Sequence, residues 1–250
     1  MRAAVYLPLA ALALAACHNG DSLAPNNRSA TSESSTASRD LAQEIHVDYR
    51  TDAAIAAAPI AETESKAFRL VRGGIHWFEG GTVEYRILGT EPVGSANTAI
   101  VTSEGTVDGF ITTRSLSRND GTSQINPCTG APNAVEWAVI DGEGGIVGAT
   151  ATCFNRITKE ILGFAMTLDA DEPWSVSGSL SAIDVQDAVT HEFGHVAGLT
   201  HVGAPKDACL TMFPTLDLGE IQKRTLGLGD KLGLQRLYDS QDVTPGSCGS

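Results

Sequence analysis

At 250 residues, of which 42% are hydrophobic, the chain is long enough to bury one good core plus an appended tail, so one folded domain is expected. Its formal net charge of −13 speaks against nucleic acid or an anionic bilayer surface as the main partner, because both require a basic face. The chain opens with Met1-Arg2, an apolar run from Ala3 to Ala16, and Cys17. A charged start followed by a short hydrophobic core is a secretory signal, and the run is too short to span a membrane, so residues 1–16 are expected to direct export.

The end of that run, Leu14-Ala15-Ala16-Cys17, resembles the bacterial lipobox, in which the cysteine becomes the acylated N-terminus. The resemblance implies a lipoprotein of a bacterial cell envelope, anchored to the membrane at Cys17, with its folded part periplasmic or extracellular. Several acyl chains hold such a protein stably, where one chain gives only marginal binding. Residues 17–38 are mostly Asn, Ser, Thr, Ala and Gly and cannot repay the entropy of ordering, so they form a tether. Residues 39–74 stay open between a spacer and a short prosegment. Leu41 to Ile45 and the Ala-rich run 53–58 suit a short helix, ended by Pro59.

The domain proper is expected over 75–250. Thr82 to Leu88 alternates with β-branched and aromatic residues and predicts a strand, while 95–112 predicts a helix from Ala96, Ile100, Val107 and Phe110. Further strands follow at Val135–Ile140, Ile146–Phe154 and Glu160–Leu168, the first two joined by the turn Asp141-Gly142-Glu143-Gly144-Gly145. Ser181 to Asp184 has a capping-box pattern that opens the next helix, and Asp230 caps a last one over Lys231–Asp239.

The chemistry concentrates in His191-Glu192-Phe193-Gly194-His195-Val196-Ala197-Gly198-Leu199-Thr200-His201. Four residues apart on a helix, His191 and His195 lie on one face and can reach one metal at roughly 2.0–2.1 Å. Gly198 supplies a residue that tolerates positive φ, so the helix can stop and the chain swing back to deliver His201. Glu192 stands beside the open position, where a carboxylate takes a proton from zinc-bound water; it is the general base rather than a ligand. Only three protein ligands are in view. A fourth, together with a cleavage screen that finds no substrate, would favour the competing reading, a non-catalytic zinc-containing surface or binding protein, because structural zinc sites are usually closed by four.

This stretch resembles the H-E-x-x-H-x-x-G-x-x-H motif of the metzincin metallopeptidases at every fixed position. Thr211-Met212-Phe213-Pro214 resembles their Met-turn, with Met212 beneath the ligands. Asn119-Asp120-Gly121, Asp169 to Trp174 and Leu232 to Tyr238 resemble the matrixin branch. The resemblance implies an α+β fold, a twisted mixed sheet packed on two long helices, with a small C-terminal subdomain. It also implies a monomeric zinc endopeptidase that pairs a peptide or protein substrate with an edge strand at Val147–Cys153, with Phe213, Pro214 and Leu216 lining the pocket past the scissile bond. Asp169 and Glu172 match calcium-ligand positions, but the loop that should supply their partners is cut to Asp141–Gly145, which leaves calcium open. Thr150 and Thr167 stand where matrixins place histidines of a second zinc site, and His18, His46 and His76 are expected to be solvated, so one zinc per chain is predicted. No cysteine lies between 18 and 127 to cap the metal as the matrixin prosegment does.

Without Cys17, four cysteines remain for an oxidising compartment and allow three pairings. Cys128 precedes one strand and Cys153 ends its expected neighbour, which favours Cys128–Cys153 and leaves Cys209–Cys248 to strap down the C-terminal tail. Each bridge is worth about 2–4 kcal/mol.

Overall fold

Of the eleven strands among the described residues, seven are joined by hydrogen bonds into one mixed sheet, and the other four form two short two-stranded pairs, Arg69–Leu70 with Leu199–Thr200 and Trp174–Ser175 with Ile183–Asp184. The structure, a computed structural model, describes residues 40–51, 65–241 and 244. The signal, the tether with Cys17, the Ala-rich run 53–58 and Cys248 lie outside the described residues.

In chain order the strands are β1 (Leu41–Thr51), β2 (Arg69–Leu70), β3 (Val83–Leu88), β4 (Leu116–Arg118), β5 (Ala134–Ala138), β6 (Ile146–Asn155), β7 (Ile161–Asp169), β8 (Trp174–Ser175), β9 (Ile183–Asp184), β10 (Leu199–Thr200) and β11 (Thr215–Asp217). The helices are α1 (Ala96–Asp108), α2 (Val185–Val196) and α3 (Leu228–Tyr238). The sheet has the order β11-β1-β6-β7-β5-β3-β4, in which β6 alone runs against the others. This is the expected α+β architecture, a mixed sheet with three helices. Tyr85 of β3 and Phe164 of β7 meet Phe193 of α2 at ring-centroid distances of 5.8 and 6.2 Å, and these fully buried rings tie the sheet to the helix that carries the histidines. Helix α1 is joined to α2 by Ser103, whose Oγ donates to Gln186 O at 3.1 Å.

Three local expectations are corrected. Residues 41–45 are not helical but the first half of β1, paired with β6 from Leu41↔Asn155 to Tyr49↔Ile146. A five-residue helix closes too few internal bonds to offset its nucleation, whereas the free edge of β6 offers a full row of backbone donors and acceptors. The strand at Val147–Cys153 is therefore covered rather than an edge.

The metal helix begins at Val185, not at Ser181. Ile183-Asp184 is drawn into β9 by pairing with Trp174-Ser175, and Asp184 is the N-cap, its carboxylate accepting from Asp187 N at 3.1 Å. The last helix begins at Leu228, so Asp230 lies inside its first turn and accepts from Gly227 N at 3.0 Å.

Candidate metal centre

The centre grows from the end of α2. A helix leaves its last carbonyls without partners inside the helix, and here side chains from far along the chain supply them. Trp77 Nε1 donates to Val196 O at 3.0 Å, and Tyr238 OH donates to Ala197 O at 2.8 Å. Gly198 then turns the chain at φ +96°, and its N donates back to His195 O at 3.0 Å. Pairing of β10 with β2 fixes Leu199-Thr200, and His201 follows directly into the cleft.

The three imidazole Nε2 atoms of His191, His195 and His201 stand 3.1–3.2 Å from one another. His191 Nδ1 donates to Thr211 O and His195 Nδ1 donates to Leu199 O, which leaves both Nε2 atoms as lone-pair acceptors. Burial brings His195 down to about 4, so that ring is neutral. Converging lone pairs repel unless a cation lies among them, and four donors placed tetrahedrally at roughly 2.0 Å from one ion are roughly 3.3 Å apart. The donor set therefore fits a metal ion.

A fourth donor joins the three histidines, and sequence reasoning missed it. Asp48 Oδ1 lies 3.0 Å from His191 Nε2 and 2.8 Å from His201 Nε2, and Oδ2 lies 3.6 Å from His195 Nε2. Both carboxylate oxygens are buried without a hydrogen-bond donor, and together the four residues form a group able to hold one metal. His46, expected to be solvated, is buried: its ring stacks on that of His195 at 3.9 Å and 6°, and its Nε2 lies 3.0 Å from Thr200 Oγ1. The sequence does hold a signal for both. In Ile45-His46-Val47-Asp48-Tyr49 the outward residues Ile45 and Tyr49 are 57% and 53% exposed while His46 and Asp48 face in, an alternation inverted from that of a strand on an apolar core.

Glu192, fully buried, lies beside this cluster. Thr150 Oγ1 donates to Glu192 Oε2 at 2.6 Å, and Oε1 has no partner. Burial first, and the Asp48 carboxylate second, push Glu192 well above the usual carboxylate range. Gly148 on β6 makes the room: a Cβ there would run into Glu192 Oε1. Thr150, read in the sequence only as a lost ligand, thus holds the expected base in place.

Met212 lies under the histidines with its Sδ against Gly194, where a Cβ could not fit. Its turn is hung from Asp230, whose carboxylate accepts from Thr211 N at 2.7 Å and Met212 N at 3.3 Å, while Thr211 O accepts a hydrogen bond from His191 Nδ1. Burial raises Asp230 to about 6. Because the folded state then binds the proton more tightly than the unfolded chain, stability is expected to fall by about 3 kcal/mol between about pH 4 and pH 6 and to level off above. Asp230→Asn is expected to remove that slope. It also sets an amide NH₂ against backbone N–H donors, lowering stability near neutral pH by about 1–3 kcal/mol. Urea unfolding of both proteins across that pH range checks the slope and the offset.

Calcium, left open by the sequence, is not supported by the structure. Asp169 Oδ2 accepts from the backbone N of Ile140, Asp141 and Gly142, and Oδ1 from Asp171 N. Glu172 Oε1 accepts from Gly144 N and Gly145 N, while Oε2 pairs with Arg50 Nη1 at 2.8 Å. Backbone donors of the shortened 141–145 loop and one guanidinium satisfy both carboxylates, so they do not support a calcium site. Cys128 and Cys153 are bridged across 25 residues. Cys209 is also disulfide-bonded, and its partner lies outside the described residues.

An α+β scaffold that brings three imidazoles and a buried glutamate to one point defines a candidate metallopeptidase domain. Residues 116–239 match the peptidase family described as Matrixin, a span that contains the three histidines, Glu192 and Met212. The chain is 35% identical over 107 residues to Metalloendoproteinase 2-MMP of Arabidopsis thaliana, a match covering 39% of this chain and 26% of that protein. It is 38% identical over 77 residues to matrilysin of Homo sapiens, covering 31% and 27%. The chain thus spans about a quarter of the length of these relatives. Among solved structures, that of myroilysin is 11% identical with a TM-score of 0.39, covering 77% of this chain and 98% of that one.

Proposed function

We propose that this chain is a zinc-dependent endopeptidase. The observation that carries the reading is the buried Glu192, with one carboxylate oxygen unpartnered, beside three converging imidazole nitrogens. His191, His195 and His201 would hold the zinc, which supplies a Lewis acid for the substrate carbonyl and a lowered pKa for water. Glu192, kept in place by Thr150, takes the proton from the attacking water and returns it to the leaving amine. With β1 displaced, an extended peptide would pair with the backbone of β6 on one side and β11 on the other.

A second reading is favoured by Asp48: four protein donors can make a closed structural site. Against it, a structural site gains nothing from a buried carboxylate with an unpaired oxygen, which costs desolvation without return.

Elemental analysis of the purified protein is expected to find one zinc per chain, lost when His191, His195 or His201 is replaced by Ala. Peptides from a digested proteome are expected to be cleaved in a chelator-sensitive way. Two tightly held zincs would contradict the reading of Thr150 and Thr167, and a zinc protein that cleaves nothing even with Asp48 replaced would favour the structural reading.

We also propose export and anchoring through acylated Cys17, which rests on residues 1–17. No helix among the described residues is long and apolar enough to cross a membrane. Cys17→Ser is expected to move the protein from the membrane to the soluble fraction; a protein that stays on the membrane would argue against the anchor.

A further inference from the structure

The cleft that a substrate needs is filled by the chain itself. Strand β1 lies between β6 and β11, antiparallel to the first through Tyr49↔Ile146 and parallel to the second from Tyr49↔Thr215 to Thr51↔Asp217. Its register with β6 shifts between Asp48 and Tyr49, at the point where the strand passes over the three histidines. There Asp48 turns its carboxylate into the metal centre, 2.8 Å from His201 Nε2 and 3.0 Å from His191 Nε2.

Anchors hold the strand on both sides of that point. Toward the N-terminus, His46 is stacked on His195 and bonded to Thr200, and Glu44 Oε2 pairs with Arg72 Nε at 2.8 Å. Toward the C-terminus, Arg50 Nη1 meets the buried Glu172 at 2.8 Å and Arg50 N donates to Gly145 O at 3.0 Å. The family match begins at residue 116, so this strand lies outside it. No cysteine in residues 18–127 could occupy the metal in its place.

We propose that Asp48 is the fourth protein ligand of the metal, and that residues 41–51 fill the cleft as a tethered pseudo-substrate that keeps the peptidase latent. The proposal rests on the peptidase reading above. A carboxylate at the open position excludes the water that Glu192 would deprotonate, and the strand's backbone occupies the donors and acceptors that a peptide would pair with. It also separates the two readings of a four-donor site. In a structural site the fourth ligand is part of the fold, whereas here it arrives on a strand whose inward residues, His46 and Asp48, are directed at the histidines.

The test uses the full chain loaded with cobalt(II), compared with Asp48→Ala and the isosteric Asp48→Asn. The visible absorption of the metal is expected to change in band position and intensity in both variants as one ligand is lost. Peptide cleavage by the zinc-loaded variants is expected to rise at least about tenfold, because the fraction of molecules with an open cleft rises. Arg50→Ala, which leaves the metal untouched, is expected to raise cleavage in the same direction by freeing the strand from Glu172. An unchanged cobalt spectrum in both Asp48 variants, with the metal retained, overturns the ligand assignment. Equal cleavage by wild type and all three variants overturns the latency. Absence of cleavage in every form overturns the peptidase reading, while the spectrum still decides whether Asp48 is a ligand.

Discussion

Replacing Glu192 by Gln is expected to leave one zinc per chain and to lower peptide cleavage by about 10²–10⁴-fold. The two residues have nearly the same shape, so the amide oxygen can still accept from Thr150 Oγ1 and Gly148 still leaves the room. What is lost is the basic lone pair that takes the proton from water. Because β1 fills the cleft, the comparison is best made twice, in the wild type and in an Asp48→Ala background, by zinc analysis and steady-state cleavage of the same peptide. An Asp48→Ala, Glu192→Gln protein that cleaved as fast as Asp48→Ala alone would remove Glu192 from the reaction.

Gly198→Ala is expected to cost about 3 kcal/mol or more and to weaken metal binding as well. The residue stands at φ +96°, in the region that costs an L-residue with a side chain about 1–2 kcal/mol. The space is also taken: an added Cβ would run into Ile75 O, a backbone atom that cannot rotate away, and would come within 3.2 Å of Leu237 Cδ1. Relief requires moving either the 71–75 turn or the segment Leu199-Thr200-His201. The 71–75 turn is held by Val71 N donating to Gly198 O at 2.9 Å, and Leu199-Thr200 is held by its pairing with β2. Either route pulls His201 away from the other two imidazoles. Thermal unfolding followed with and without zinc separates the effects: the apo protein should unfold at a lower temperature than wild type, and zinc should restore less of the loss than it adds to wild type. A variant with wild-type stability and metal affinity would show that this turn does not position His201.

Local periodicity identified the elements whose residues repeat cleanly. β3, β6 and β7 alternate, α2 carries its histidines at a spacing of four, and the strands were placed close to their observed limits. The same spacing brought His191, His195, Glu192 and His201 into one chemical argument, because a helix followed by a glycine turn is a short-range geometry that needs no knowledge of the rest of the chain. Boundaries failed where long-range pairing outweighed local signals. Ser181 looked like a cap until Trp174-Ser175 drew Ile183-Asp184 into a strand, and Asp230 looked like a cap until the Met212 turn required its carboxylate inside.

By itself, then, the sequence determined the helix that carries two histidines, the glycine turn that delivers a third, the candidate base and the absence of a cysteine between residues 18 and 127, since each depends on residues close together or on composition alone. Only the tertiary structure decided what stands over the metal. Asp48 lies 143 residues before His191 in the chain, and the inverted alternation from Ile45 to Tyr49 marks a strand without naming what its polar face meets. Its place is set by the unpaired edge of β6 and by three imidazole nitrogens that converge only after β10, β2 and the Trp77 and Tyr238 contacts have closed the end of α2. A local alternation cannot name a partner at such separation. Such contacts appear only once loop closure has been repaid by the pairing itself.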